Sequence, residues 1–306
     1  MISIIIPTYN RADLISETLE SVLAQSNSNW ECVLVDDGSE DETWTVLEKY
    51  AGLDNRFRPF KRTDFQEKKG ANVCRNIGIN LSRGEYVIFF DSDDLMLPNL
   101  IENHFQMIKS KGPDMSMVQS VYFSDENDFE TLIIKGDLYD PKLTEKFFKK
   151  EIVWLISNPA ILKSFLIKNS IKFNESLAAG QDWEFFMKIL LQNPIIYLID
   201  GIHIRIRIHL QTISHDEEKK TEKYYNYCYA RHLIFNHHLN PQQKSNLKDY
   251  YKAYTNRFLT EILKYKRPDL ALKIIERESS GINYFKNKLY LFLYRLSGKG
   301  ISKIKI

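Results

Sequence analysis

Cysteine is scarce: Cys32, Cys74 and Cys228 are the only three among 306 residues. They are too few and too scattered for a disulfide framework or a zinc cluster, and they read as reduced thiols. No apolar run reaches the roughly 18 residues of a membrane-spanning helix. The opening MISIIIPTYN has no basic stretch ahead of its short apolar run, so no signal peptide is expected and the expected location is the cytoplasm. No GxGxxG follows that run, which argues against a dinucleotide-binding dehydrogenase. With 43% apolar and 27% charged residues, wholesale disorder and fibrous repeats are excluded. The length suits one large domain, or one domain with a helical appendage.

A net charge of +2 hides an asymmetry. Residues 1–216 hold 23 Lys and Arg against 32 Asp and Glu, a net of −9; residues 217–306 hold 19 against 8, a net of +11. An acidic first part argues against nucleic acid as its principal ligand, while the basic remainder favours an anionic surface.

The first 120 residues alternate short β-rich runs with helical patterns. Residues 2–6 form an apolar run stopped by Pro7, and residues 12–25 place Leu14, Ile15, Leu19, Val22 and Leu23 on one helical face. Apolar runs recur at 32–35 and 86–90, and helices are expected over 41–50, 71–81 and 98–109, with Pro98 suited to a first turn. That order predicts an open, mostly parallel sheet covered on both faces. Further on, strands are expected at 115–123, 131–134, 195–199 and 202–208, and helices at 159–168 and 181–192. In 202–208 isoleucine alternates with His203, Arg205 and Arg207, which predicts one apolar and one cationic face.

Ligands of such sheets bind beyond the carboxyl ends of the strands. Three exits fall there: PTYN at 7–10, DDGS at 36–39 and DSDD at 91–94. One edge thus gathers Asp36, Asp37, Asp91, Asp93 and Asp94, and like charges so crowded cost stability unless a cation or ligand donors offset them. Two aspartates spaced by one residue can aim at one ligand, one through a divalent cation and one through a hydroxyl. Taken singly, DSDD also reads as a capped turn and DDGS as an ordinary turn. Arg75 with Asn76, in a segment opened by Gly70, offers a guanidinium suited to phosphate. Asp182, near the start of an apolar helix, reads as a base or as a residue complementing the helix dipole, and Trp183 as a platform for a sugar ring. His209 follows the alternating strand; a lone histidine is more often structural than a ligand.

PTYN, DDGS, Arg75 with Asn76, DSDD and QDWEF, in that order, resemble the family 2 glycosyltransferases with the GT-A fold, over roughly residues 1–215. The resemblance implies a Rossmann-like α/β sheet flanked by helices in residues 1–215, the nucleotide-sugar-binding and catalytic domain, with a basic helical extension over 216–306. Pro7, Thr8, Tyr9, Asp36 and Asp37 would surround the nucleoside, Arg75 the diphosphate, and Asp91 the ribose or sugar. Asp93 would ligate Mn²⁺ or Mg²⁺, Asp182 would be the catalytic base, and His209 would close over the metal or diphosphate. The family often has Glu where this chain has Gln181, a departure that bears on acceptor contacts.

The implied reaction is inverting transfer from a nucleotide diphosphate-sugar, a UDP-sugar first of all, to a glycan or lipid-linked glycan of a bacterial surface polysaccharide such as capsule or O-antigen. The aspartates alone also suit a metal-dependent nucleotidyltransferase, and a non-catalytic nucleotide-sugar or glycan-binding module is the other alternative. Residues 284–306 carry six basic and no acidic residues among many aromatic and leucine side chains. They suit either peripheral binding to an anionic membrane or a packed terminal helix with a solvated basic face.

Overall fold

The structure is a computed structural model. It describes residues 1–306 apart from 125–127, 209–216 and 299, and apart from the side chains of 128–132 and 217–218. The chain divides into two compact units, one of Met1–Glu175 with Phe185–His209, the other of Ser176–Glu184 with Leu210–Ile306.

The elements up to residue 207 run β1 (Ile2–Thr8), α1 (Ile15–Leu23), β2 (Trp30–Asp36), α2 (Thr43–Leu53), β3 (Phe57–Lys61), α3 (Ala71–Leu81), β4 (Tyr86–Phe89), β5 (Leu95–Met96), α4 (Leu100–Lys111), β6 (Met115–Phe123), β7 (Asp128–Leu132), α5 (Leu143–Phe148), β8 (Pro159–Leu162), α6 (Lys163–Lys168), α7 (Gln181–Leu190) and β9 (Ile196–Arg207). Among the described residues, nine strands form one sheet in the order β3-β2-β1-β4-β8-β6-β9-β5, with β7 paired to β6. β3, β2, β1 and β4 are parallel, and so are β6 and β9. The antiparallel pairings, β4 with β8, β8 with β6, β9 with β5 and β6 with β7, are only two or three residues long. This is the expected open, mostly parallel sheet flanked by helices.

Every residue of β1 and β2 is buried, as a parallel sheet covered on both faces requires. Ile4, Ile6, Leu34 and Ile88 pack in one cluster with Leu19, Val22, Leu47 and Leu100 of the helices. On α3, a β-carbon at Gly78 would stand 2.3 Å from the Ile5 side chain, so this helix and β1 approach too closely for any larger residue.

Three expectations change. Residues 159–162 are a strand rather than the start of a helix. Pro159 lacks an N–H and sits first in β8, where pairing to β4 and β6 overrides local pattern. The two strands expected at 195–199 and 202–208 are one, the continuous strand β9, whose register against β6 shifts between Val118 and Ser120. Its alternation is not apolar against cationic, because His203 and Arg207 are each only 8% exposed while Ile202 and Ile208 are 39% and 41% exposed.

The helical extension contains α8 (Glu217–Leu233), α9 (Pro241–Lys264), α10 (Pro268–Glu278) and α11 (Gly281–Ser297). Asn240 starts α9 with a capping box: its side chain accepts from Gln243 N, and the Gln243 side chain accepts from Asn240 N. Leu259, Ile262, Leu263, Leu270, Ile274, Ile275 and Leu291 form the core of this unit. No helix among the described residues is long and apolar enough to cross a membrane.

Candidate active site

Parallel register brings the strand exits together. Thr8 pairs with Asp36, Asp36 with Lys61, and Ile5 with Phe89, so residues 7–11, 36–39, 62 and 90–94 leave the sheet along one edge. Pro7, Thr8, Tyr9, Arg11, Asp37, Ala71, Arg75, Asp91, Ser92 and Asp93 line a cavity of about 330 Å³ there. Six of the residues singled out from sequence therefore share one cavity with Pro7: Thr8, Tyr9, Asp37, Arg75, Asp91 and Asp93.

The first loop is stitched to the second. Asn10, with φ of 47°, donates its N–H to Ser39 Oγ at 3.0 Å and accepts from Glu40 N at 2.9 Å, while Arg11 N donates to Thr43 Oγ1 at 2.8 Å. Asp36 does not line the cavity. Its buried carboxylate accepts from Gly38 N, Ser39 N and Ser39 Oγ, so it locks the turn that presents Asp37. Asp37 accepts from Arg62 Nε at 2.5 Å and from Gly70 N at 2.8 Å. Gly70, at φ of 128°, has the backbone only glycine adopts freely, and it opens α3 beside the cavity.

Arg75 on α3 is buried. It donates to Asp91 Oδ1 at 2.9 Å, and its guanidinium lies 5.4 Å from the Phe173 ring, which in turn stacks on Phe185 at 4.0 Å. A cation so held presents fixed donors at the cavity wall. Thr8 is 2% exposed, and its hydroxyl has no hydrogen-bond partner among the described residues, a polar atom left for a ligand. Tyr9 keeps its ring exposed at the rim.

The turn at 91–94 is anchored from far along the chain. Arg207 N donates to Asp94 Oδ1 at 3.0 Å, Arg207 Nε to the Asp93 carbonyl at 3.1 Å, and its terminal nitrogen to Glu17 at 2.5 Å. The guanidinium carbons of Arg205 and Arg207 lie 4.5 and 4.7 Å from the centroid of the Phe123 ring. Arg207 is thus a buried brace for the turn rather than part of an open cationic face. Burial pushes the Asp94 carboxyl well above the usual carboxylate range, with the charges of Asp91 and Asp93 adding to the rise and Arg207 opposing it. Asp93, 3.7 Å from Arg11, is the carboxylate of this pair that faces the cavity.

No three His, Cys, Asp or Glu side chains converge as a ready ion site among the described residues. The donor set fits a cation that shares phosphate oxygens: Asp93 and Asp91 are hard oxygen donors on the wall of a cavity that also holds Arg75.

Asp182 and Trp183 belong to the second unit. Asp182 lies in the first turn of α7, after Gly180. Trp183 is 8% exposed, and Arg231 lies 4.3 Å from its ring centroid, so the indole is packed rather than an open sugar platform. His209 lies outside the described residues. Arg62 and Arg11 escaped the sequence reading, and Arg207 entered it only as part of a cationic strand face. FRPFK, with a single fully buried residue, is too weak a pattern to reveal β3 and hence Arg62 behind it, whereas Arg11 stands directly after PTYN and could have been read with it.

Residues 3–171 match the family described as Glycosyl transferase family 2, and the chain belongs to that family. Membership decides for glycosyl transfer over the nucleotidyltransferase alternative. Over 221 residues the chain is 28% identical to glycosyltransferase GlyG of Streptococcus pneumoniae, covering 67% of this chain and 70% of that one. Over 207 residues it is 29% identical to the poly(ribitol-phosphate) beta-N-acetylglucosaminyltransferase TarP of Staphylococcus aureus, covering 63% of this chain and 58% of TarP. The fold matches TarS 1–349 of S. aureus, crystallised with UDP, at a TM-score of 0.64 and 20% identity, over 99% of this chain and 88% of that one. The match spans 54% of the longer TarS chain. This likeness gives the GT-A fold.

Proposed function

We propose that the protein is an inverting glycosyltransferase that moves a sugar from a nucleoside diphosphate donor, a UDP-sugar in the first instance, to a hydroxyl of a growing surface glycan, free or lipid-linked. The observation that carries this reading is the cavity of about 330 Å³ in which an exposed aromatic ring, an unpartnered buried hydroxyl, a buried arginine and three carboxylates meet. Family membership, the UDP complex of TarS and the activity named for TarP support it.

In this reading Tyr9 stacks on the base, Thr8 and Asp37 meet its polar edge, and Asp36 holds the turn behind them. Arg75 binds the diphosphate and Asp91 a ribose or sugar hydroxyl. Asp93, with the donor's phosphate oxygens, would hold Mn²⁺ or Mg²⁺. Such an ion, when bound, offsets charge on the departing diphosphate. His209 is assigned to the diphosphate side by resemblance alone. Asp182 takes the proton of the acceptor hydroxyl as its oxygen bonds to the anomeric carbon, while the bond from that carbon to the diphosphate breaks on the opposite face. General-base help of this kind contributes about a hundred- to ten-thousand-fold. No glycosyl–enzyme bond forms, since the carboxylate receives a proton and not the sugar.

A screen of UDP-, GDP- and dTDP-sugars for metal-dependent binding identifies the donor. Asp182→Asn should then lower transfer by about a hundredfold or more with donor affinity kept, read by product assay beside calorimetric titration. Transfer at the wild-type rate would remove Asp182 from the role.

A further inference from the structure

Helix α11 has two opposite faces. At 3.6 residues per turn, Asn287, Leu291 and Tyr294 share one side and are buried. Ile282, Phe285, Leu289, Phe292, Leu293 and Leu296 share the other and are 46% to 86% exposed. In the second unit, these are all the exposed large apolar side chains among the described residues. The terminal helix therefore packs on one side, as one sequence reading held, but its outer side is an apolar stripe and not a solvated basic face.

By the same period Lys286 borders the stripe on one side, and Lys288 and Arg295 border it on the other. Lys288 also meets Tyr284 Oη at 2.8 Å and Glu276 at 3.4 Å. Residues 284–306 supply six basic residues and no acid. An apolar stripe this continuous marks a surface that is covered in use. A second copy of the helix would set like charges border against border, whereas an anionic bilayer offers acyl chains to the stripe and phosphates to both borders.

We propose that α11 is a peripheral anchor that lies in the plane of an anionic lipid bilayer, with its apolar stripe in the headgroup–acyl boundary and Lys286, Lys288 and Arg295 against lipid phosphates. The proposal does not rest on the donor chemistry. It is tested by flotation of the full chain with phosphatidylcholine vesicles, with and without about a third phosphatidylglycerol, at low and high salt. Binding is expected only with phosphatidylglycerol and should weaken as salt rises. The triple substitution Phe285→Ser, Leu289→Ser, Phe292→Ser changes exposed residues only, so circular dichroism and thermal unfolding should stay unchanged while flotation is lost. Lys286→Gln and Arg295→Gln should each weaken binding about fivefold. Equal flotation of the triple variant, or none of the wild type on anionic vesicles at low salt, overturns the proposal. So does light scattering that shows a stable oligomer which the triple variant reduces to monomers, since the stripe is then covered by a second copy.

Discussion

In the turn at 36–39 the first aspartate is buried beneath hydrogen-bond donors and the second reaches the cavity, whereas in the turn at 91–94 Asp91, Ser92 and Asp93 reach it and the last carboxyl, Asp94, is buried. The two also differ in who holds them. Asp36 is satisfied by Gly38 and Ser39 of its own turn, while Asp94 and the Asp93 carbonyl are held by Arg207, more than a hundred residues away. A locally closed turn keeps its shape through short-range bonds. The other takes its shape from β9, and its carboxylates are positioned only once the whole sheet has formed.

Substitutions can sharpen or break that contrast. The largest effect is expected for Asp93→Ala, which removes a cavity-lining carboxylate of the remote-held turn: metal-dependent donor binding should disappear and transfer fall about a hundredfold, roughly 3 kcal/mol. Unchanged metal-dependent affinity would reduce this turn to a structural cap. Arg207→Ala should cost about 2 kcal/mol in urea unfolding, below the usual 3–5 for a fully buried pair, because Glu17 remains half exposed and keeps its water. Donor affinity should fall with it, although Arg207 does not line the cavity; stability lost with donor affinity intact would show that the brace does not set Asp93.

The sheet that carries β9 should also respond to acid through one buried histidine. His104 on α4 is fully buried against Ser116 of β6, and burial, aided by the charge of His203, lowers its pKa from 6.5 to about 3. The folded state keeps this imidazole neutral while the unfolded chain binds a proton below about 6.5, so its contribution is full above that pH and is lost as the pH falls towards 3. Between pH 7 and pH 5 the loss should be about 2 kcal/mol. It is measured as the difference in pH slope of stability between wild type and His104→Leu; parallel slopes would remove His104 as the cause. The smallest effect is reserved for the local turn, where Ser39→Ala removes one hydroxyl from Asp36 and should cost about 1 kcal/mol with little change in the turn at 91–94.

Much of the site was legible before any fold was known, because apolar runs end directly at PTYN, DDGS and DSDD and a parallel sheet aligns such exits. Thr8, Tyr9, Asp37, Arg75, Asp91 and Asp93 do line one cavity. What pattern could not distinguish was the duty of each carboxylate: Asp36 and Asp37 are neighbours of one type, and only their hydrogen-bond partners separate the turn lock from the cavity wall. Trp183 shows the opposite error, an aromatic whose setting looked suited to a sugar but which lies beneath Arg231.

The sequence by itself determined the order of elements, the edge on which acidic loops gather and the charge contrast between the two parts of the chain. These follow from hydrophobic period and local turn chemistry, which neighbouring residues decide. Only the tertiary structure decided that Arg62 meets Asp37, that Arg207 braces the turn at 91–94, and that the outer face of α11 is apolar. Those outcomes depend on which distant groups share a desolvated space, where an ionised side chain persists only with a partner and an apolar one is covered only if another element reaches it.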